Sequence, residues 1–97
     1  MNYETLQAFL AELLPAAEVK PAREIVADWF GVAVTVGDQM ATIYACEDIN
    51  GPGERGWLVD HFSVAENDPM AFVPDVWDFL DEARAVHHLI GWYINRV

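Results

Sequence analysis

Few residues in this chain have the chemistry for catalysis: three histidines (His61, His87 and His88), one cysteine (Cys46), and the run Asp60-His61-Phe62-Ser63. A serine or cysteine nucleophile needs a base within hydrogen-bond reach and an acid behind that base to orient it. Asp60 and His61 are sequence neighbours in a period-two stretch, and neighbours on a strand point to opposite faces, so this carboxylate does not orient this imidazole. No Gly-x-Ser-x-Gly elbow occurs, and Asp60, His61 and Ser63 are expected as plain strand surface. A metal centre is disfavoured in the same way. His87 and His88 diverge by about 100° on a helix, and neither HxxxH nor CxxC occurs. His87 is expected on the core side and His88 in solvent, with Cys46 packing as a small hydrophobe at a strand end. The loop Asn50-Gly51-Pro52-Gly53-Glu54-Arg55-Gly56 has three glycines but lacks GxGxxG spacing and the Lys-Ser/Thr of a phosphate cradle, so it is a connector or a recognition tip. No catalytic residue, metal or cofactor is expected.

The acidic residues carry more information. Sixteen acids stand against five bases in 97 residues, a formal charge of -11. That surplus disfavours direct contact with nucleic acid or anionic membrane and points to an electropositive partner. If residues 74–96 form one helix, Asp75, Asp78, Asp81 and Glu82 make a negative stripe opposite its apolar side, with Glu66 and Asp68 just before it. Glu24 and Asp28, spaced i to i+4 on an earlier predicted helix, add a second acidic spot. Trp77 and Trp92 fall outside the apolar arc of the last helix, so each either meets another helix or is an exposed anchor of the type enriched at interfaces. The candidate contacts are therefore Asp75, Asp78, Asp81, Glu82, Glu66, Asp68 and Trp92.

The elements that position these residues follow from hydrophobic periodicity and breakers. Tyr3, Leu6, Phe9, Leu10, Leu13 and Leu14 share one face of a first helix over about 2–14. Pro15 stops it, and Pro21 suits the first turn of a second helix over about 20–30, with Ile25, Val26, Trp29 and Phe30 as its stripe and Gly31 as its left-handed terminator. Val32, Val34 and Val36 then alternate up to Gly37-Asp38, predicting a hairpin over 32–46. A third strand spans 57–64, and Met70 to Val73 form a short edge strand. Pro74-Asp75 opens a long helix, 74–96, whose arc of Val76, Phe79, Leu80, Ala83, Val86, Ile90, Ile94 and Val97 faces the sheet. The fold class is α+β: two N-terminal helices, a small antiparallel sheet of three to four strands and a long C-terminal helix. With 54% apolar residues and twelve aromatics, the four Trp among them, one domain spanning 1–97 is expected. One cysteine, no basic leader and no apolar run of transmembrane length predict a cytoplasmic protein without a membrane partner.

In size, acidity and lack of a catalytic signature the chain resembles the small inhibitors of phages and mobile elements, notably anti-CRISPR proteins and antirestriction DNA mimics. The resemblance is one of whole-chain character. It implies a non-enzymatic protein whose carboxylates occupy a Lys/Arg groove on a basic protein or nucleoprotein complex. The same electrostatics fit an antitoxin or immunity protein that neutralises a basic nuclease. A third reading, a small enzyme or ligand carrier, requires a deep pocket lined by Tyr44, Trp57 and His61. The Met70 to Val73 edge or an uncovered Trp face leaves both monomer and homodimer open.

Overall fold

In the computed structural model, which describes residues 2–47, 55–63 and 75–97, helix α1 (Tyr3–Leu13) begins where the Asn2 side chain accepts the Thr5 N–H at 2.8 Å. That contact satisfies one of the amide donors that a helix start leaves unpaired. The apolar period then buries Leu6, Leu10 and Leu14 completely, while Phe9 and Leu13, at the edges of the same stripe, stay more than 40% exposed. Pro15 ends the helix as expected.

The next segment departs from the helix expected over 20–30. Glu18–Pro21 is a strand, β1, and only Ala22–Glu24 forms a short 3₁₀ turn. Proline disfavours helical geometry in the residue before it, so Lys20 is pushed to extended backbone. β1 lies at the edge of the sheet, and Pro21, its last residue, ends the strand where a missing donor is tolerated. Residues 25–30 then fold back over the sheet, laying Ile25 and Trp29 against Ala33, Met40 and Phe62.

Gly31 (φ 87°) returns the chain to the sheet, and its carbonyl accepts the Ala22 N–H at 3.0 Å. β2 (Val32–Val36) and β3 (Gln39–Glu47) form the expected hairpin, closed by Gly37-Asp38 with Gly37 at φ 59°. β4 (Arg55–Ser63) occupies the position of the predicted strand 57–64, starting two residues earlier. The fifth strand, β5 (Asp75–Phe79), replaces the first part of the expected C-terminal helix. The sheet is an antiparallel meander in the order β1-β2-β3-β4-β5. Met70 to Val73, with Glu66 and Asp68, lie outside the described residues.

Residues 74–96 therefore do not form one helix. Trp77 pairs with Val59 and Phe79 with Trp57, so the alternation of Trp77 and Phe79 with Val76 and Asp78 serves a strand. The helix α2 spans only Glu82–Ile94, capped by Asp81, whose carboxylate accepts the Arg84 N–H at 2.8 Å. The arc expected to face the sheet is displaced accordingly. Ala85, Val86, Leu89, Trp92 and Tyr93 are buried, whereas Val76, Leu80, Ile94 and Val97 are exposed and Ala83 faces solvent.

Both helices contribute to one side of the sheet. Leu6, Leu10, Leu14, Leu89 and Trp92 share a core with Val32, Val34, Ala41, Ile43, Trp57 and Val59, the alternate residues of three strands. Two tyrosines tie the helices to neighbouring backbone: the Tyr3 hydroxyl accepts the Ala45 N–H and the Tyr93 hydroxyl accepts the Ala16 N–H, both at 2.9 Å. Among the described residues, the 22–30 segment covers one end of the opposite side. The described residues thus form a mixed α+β structure with a five-stranded antiparallel sheet and two helices. Among the described residues no helix is long and apolar enough to cross a membrane.

The two left-handed glycines separate conformational strain from crowding. A Cβ on Gly31 would collide with the Ile43 carbonyl and the Tyr44 Cβ, while a Cβ on Gly37 meets nothing within 4 Å. Gly37→Ala is expected to cost about 1–2 kcal/mol, the penalty of the left-handed backbone alone. Gly31→Ala adds a backbone clash and is expected to cost more than about 3 kcal/mol. Urea unfolding of the two variants checks this; equal losses would show that the crowding at Gly31 is relieved freely.

Candidate functional site

Period-two alternation along β3 and β4 sends Met40, Thr42 and Tyr44, and Leu58, Asp60 and Phe62, to the side of the sheet that carries neither α1 nor α2. Thr42 stands opposite Asp60 and is 3% exposed. The Tyr44 hydroxyl donates to Asp60 Oδ2 at 3.1 Å. The 25–30 segment arches across, and the space beneath it is a pocket of about 220 Å³ lined by Asp28, Trp29, Phe30, Thr42, Tyr44 and Asp60.

The electrostatics of this pocket are set by a carboxylate taken partly out of water. Burial raises the Asp60 pKa above the usual aspartate value, and the Tyr44 hydrogen bond opposes that rise without cancelling it. Burial, then the adjacent Asp60 charge, push the Tyr44 phenol above its ordinary value, so Tyr44 stays a neutral donor. Asp60 Oδ1 is buried without a hydrogen-bond partner among the described residues.

On the helix-bearing side, the structure brings together two residues that sequence reasoning kept apart. His61 of β4 and His88 of α2 approach with their Nε2 atoms 3.0 Å apart, while their ring centres are 4.9 Å apart and their planes are inclined by 15°. The near-parallel rings are offset so that the two nitrogens meet in an N–H···N contact. One ring donates and the other accepts. Trp77, Phe79 and Trp92 surround the pair, with ring centres 5.0–6.2 Å from one or other imidazole. His88 is thus the histidine packed inward, and His87 is exposed, the reverse of the expectation. Among the described residues no group of three or more His, Cys, Asp or Glu is placed to hold a metal ion.

Other site expectations fare unevenly. Asp60 and His61 do diverge to opposite faces, as a strand requires. The pocket that the small-enzyme or carrier reading requires among Tyr44, Trp57 and His61 does not form: Trp57 is in the helix-side core, His61 meets His88, and Tyr44 faces the other way. The negative stripe on one helix is also corrected, because Asp75 and Asp78 lie on β5, Asp81 is the α2 cap and Glu82 its first residue. Asp78 and Asp81 are exposed, as are Glu24 and Asp28, although no helix joins the last two. Trp92 is 4% exposed and so is no surface anchor; Arg96 covers its ring at 4.7 Å. Trp77 is 48% exposed. Cys46 is half-buried, its thiol 3.4 Å from the Glu47 carbonyl.

Sequence reasoning missed the pairing of Asp60 with Tyr44 and the contribution of Trp29 and Phe30. The available signal was parity: once β3 and β4 are paired in this register, Tyr44 and Asp60 must share a face. Comparison of the chain with family models, with curated proteins and with solved structures finds no match.

Two predictions follow from these contacts. Burial holds His88 below the ordinary histidine pKa, so below about pH 6.5 the unfolded chain binds this proton more readily than the folded one. The stability that His88 provides is complete above that pH and falls as the solution is acidified toward the lower folded value. In His88→Gln the decline in melting temperature between about pH 7 and 5.5 is therefore expected to be shallower than in the wild type; parallel declines would refute the assignment. Separately, Asp81→Ala removes the α2 cap and is expected to cost about 0.5–2 kcal/mol in chemical unfolding, with Asp81→Asn close to neutral. Equal losses in both would tie the effect to charge instead of capping.

Proposed function

We propose that this chain is a non-enzymatic, acidic binding protein that blocks an electropositive, nucleic-acid-binding surface of a protein or nucleoprotein target. In this it would act like the anti-CRISPR and antirestriction inhibitors it resembles in character. The observation that supports the reading most is the charge surplus: sixteen acids face five bases. Internal ion pairing can neutralise at most five of those acids, so a net negative surface is unavoidable. A basic groove selected for phosphates is complementary to such a surface, and the attraction speeds encounter at low salt.

With Asp75 and Asp78 on a strand, we draw the contact surface on the sheet face that carries neither α1 nor α2, instead of on one helix. Val76 and Asp78 of β5 share a face with Leu58 and Asp60, by their register against β4. Asp28 stands at the rim of the pocket beside Asp60. The proposed contact face therefore centres on Asp28, Asp60 and Asp78. Asp81 and Glu82 start α2, so Asp81 has a capping role whatever it contacts, and the buried Trp92 supports the core.

The test is affinity capture from the cell that makes the protein, using the wild type and a double charge reversal, Asp28→Lys with Asp78→Lys. Both sites are exposed, so folding is expected to be unaffected. The captured partner should be basic, should bind the double variant more than tenfold less tightly, and should elute near 1 M salt, where the screening length is about 3 Å. A partner held equally well by both proteins and at both salt levels would overturn the electrostatic account.

A further inference from the structure

From the half-buried carboxylate, the aromatic walls and the size of the open-face pocket, we infer that it is a receptor for a single alkylammonium or guanidinium head. Asp60 Oδ2 is engaged by the Tyr44 hydroxyl, while Oδ1 is buried and unpartnered among the described residues. A carboxylate in that position leaves negative charge that no described group around it neutralises. Among the described residues, those lining the pocket include a second acid, Asp28, and no Lys or Arg. Two carboxylates repel an anion, and a neutral guest leaves both uncompensated.

The walls favour an organic cation over a bare metal ion. Trp29, Tyr44 and Phe30 contribute aromatic rings, whose faces attract ammonium and guanidinium groups. Phe30 is 72% exposed, so water meets most of a side chain that the core does not use. At about 220 Å³ the cavity is smaller than the roughly 300–1,000 Å³ of sites that enclose whole small molecules. It fits the end of a lysine or arginine side chain. On the reading proposed above, that side chain belongs to the basic target, and Asp60 is where the protein grips one residue of it.

The probes are agmatine and n-butylammonium, with n-butanol as the uncharged control, followed by amide and indole NMR shifts of the full chain. Saturable shifts at Trp29, Tyr44 and Asp60 are expected with both cations and not with butanol. Asp60→Asn, which keeps the shape and removes the charge, should weaken agmatine by at least about tenfold. Phe30→Ala, at an exposed site that leaves the core intact, should weaken it by about threefold. Equal shifts with butanol, or unchanged agmatine affinity in Asp60→Asn, would overturn the inference. That failure is separable from failure of the blocking function, since the fragment assay needs no partner. Loss of the captured partner from Asp60→Asn supports the receptor with a partner side chain as its guest. Retention of the partner alongside loss of agmatine binding supports it with a free amine as the guest.

Discussion

The alternation of β4 between its two neighbours is the constraint on which the other features rest. Pairing of β4 with β3 on one side and β5 on the other places Trp57, Val59 and His61 under the helices and Leu58, Asp60 and Phe62 on the opposite face. A slip of one residue would exchange the two sets, bringing Asp60 beneath the helices and pushing fully buried Val59 into the open. The apolar core therefore enforces the register, and the register alone presents Asp60 to Tyr44 and His61 to His88. Neither polar pair needs local sequence proximity; each is a consequence of how Val59 and Ile43 are buried.

This dependence explains which features were legible before the structure. α1 and the 32–46 hairpin rest on local signals, a leucine stripe and a Gly-Asp turn between β-branched runs, and both are present. The 20–30 and 74–96 segments are ambiguous in sequence because their apolar residues satisfy two periods at once. Val76, Trp77 and Phe79 fit a helical arc on paper, but as a strand they gain a full ladder against β4 and set Trp77 and Phe79 beside Val59 and Trp57. Tertiary pairing decided between periods that local pattern left balanced. In the 20–30 segment, Pro21 was legible as a breaker, yet a proline can open a helix or close an edge strand. The choice turned on β2 being available to pair with β1.

The site was less legible than the fold for a related reason. Composition exposed the charge surplus correctly, but the one-helix stripe of Asp75, Asp78, Asp81 and Glu82 was an artefact of extending α2 too far back. The pocket of Tyr44, Trp57 and His61 that the small-enzyme reading requires is incompatible with strand parity. In the structure Ala45 stands opposite Trp57, so Tyr44 falls on the other face. The contact between His61 and His88 joins positions 27 apart on different elements and has no local signature.

The two faces respond to acid in opposite senses, which bears on what the open face is for. On the helix side, burial holds His88 below the ordinary histidine pKa, so acid must charge a ring packed against its neighbours and loosens that face. On the open side, burial raises the Asp60 pKa, so the folded chain is more easily protonated there than the unfolded one. Its contribution therefore disfavours folding at neutral pH, and this penalty is relieved as pH falls through the raised folded value toward about 4. An asparagine would fill the same space without that penalty. Burial that opposes ionisation, a hydroxyl that engages only one oxygen, and an aromatic ring, Phe30, left in water are each unfavourable for a surface with no other task. A positive guest reverses all three at once: it keeps Asp60 ionised, gives the charge a partner and covers Phe30. The features that weaken the isolated fold are those that would strengthen a complex with a cation.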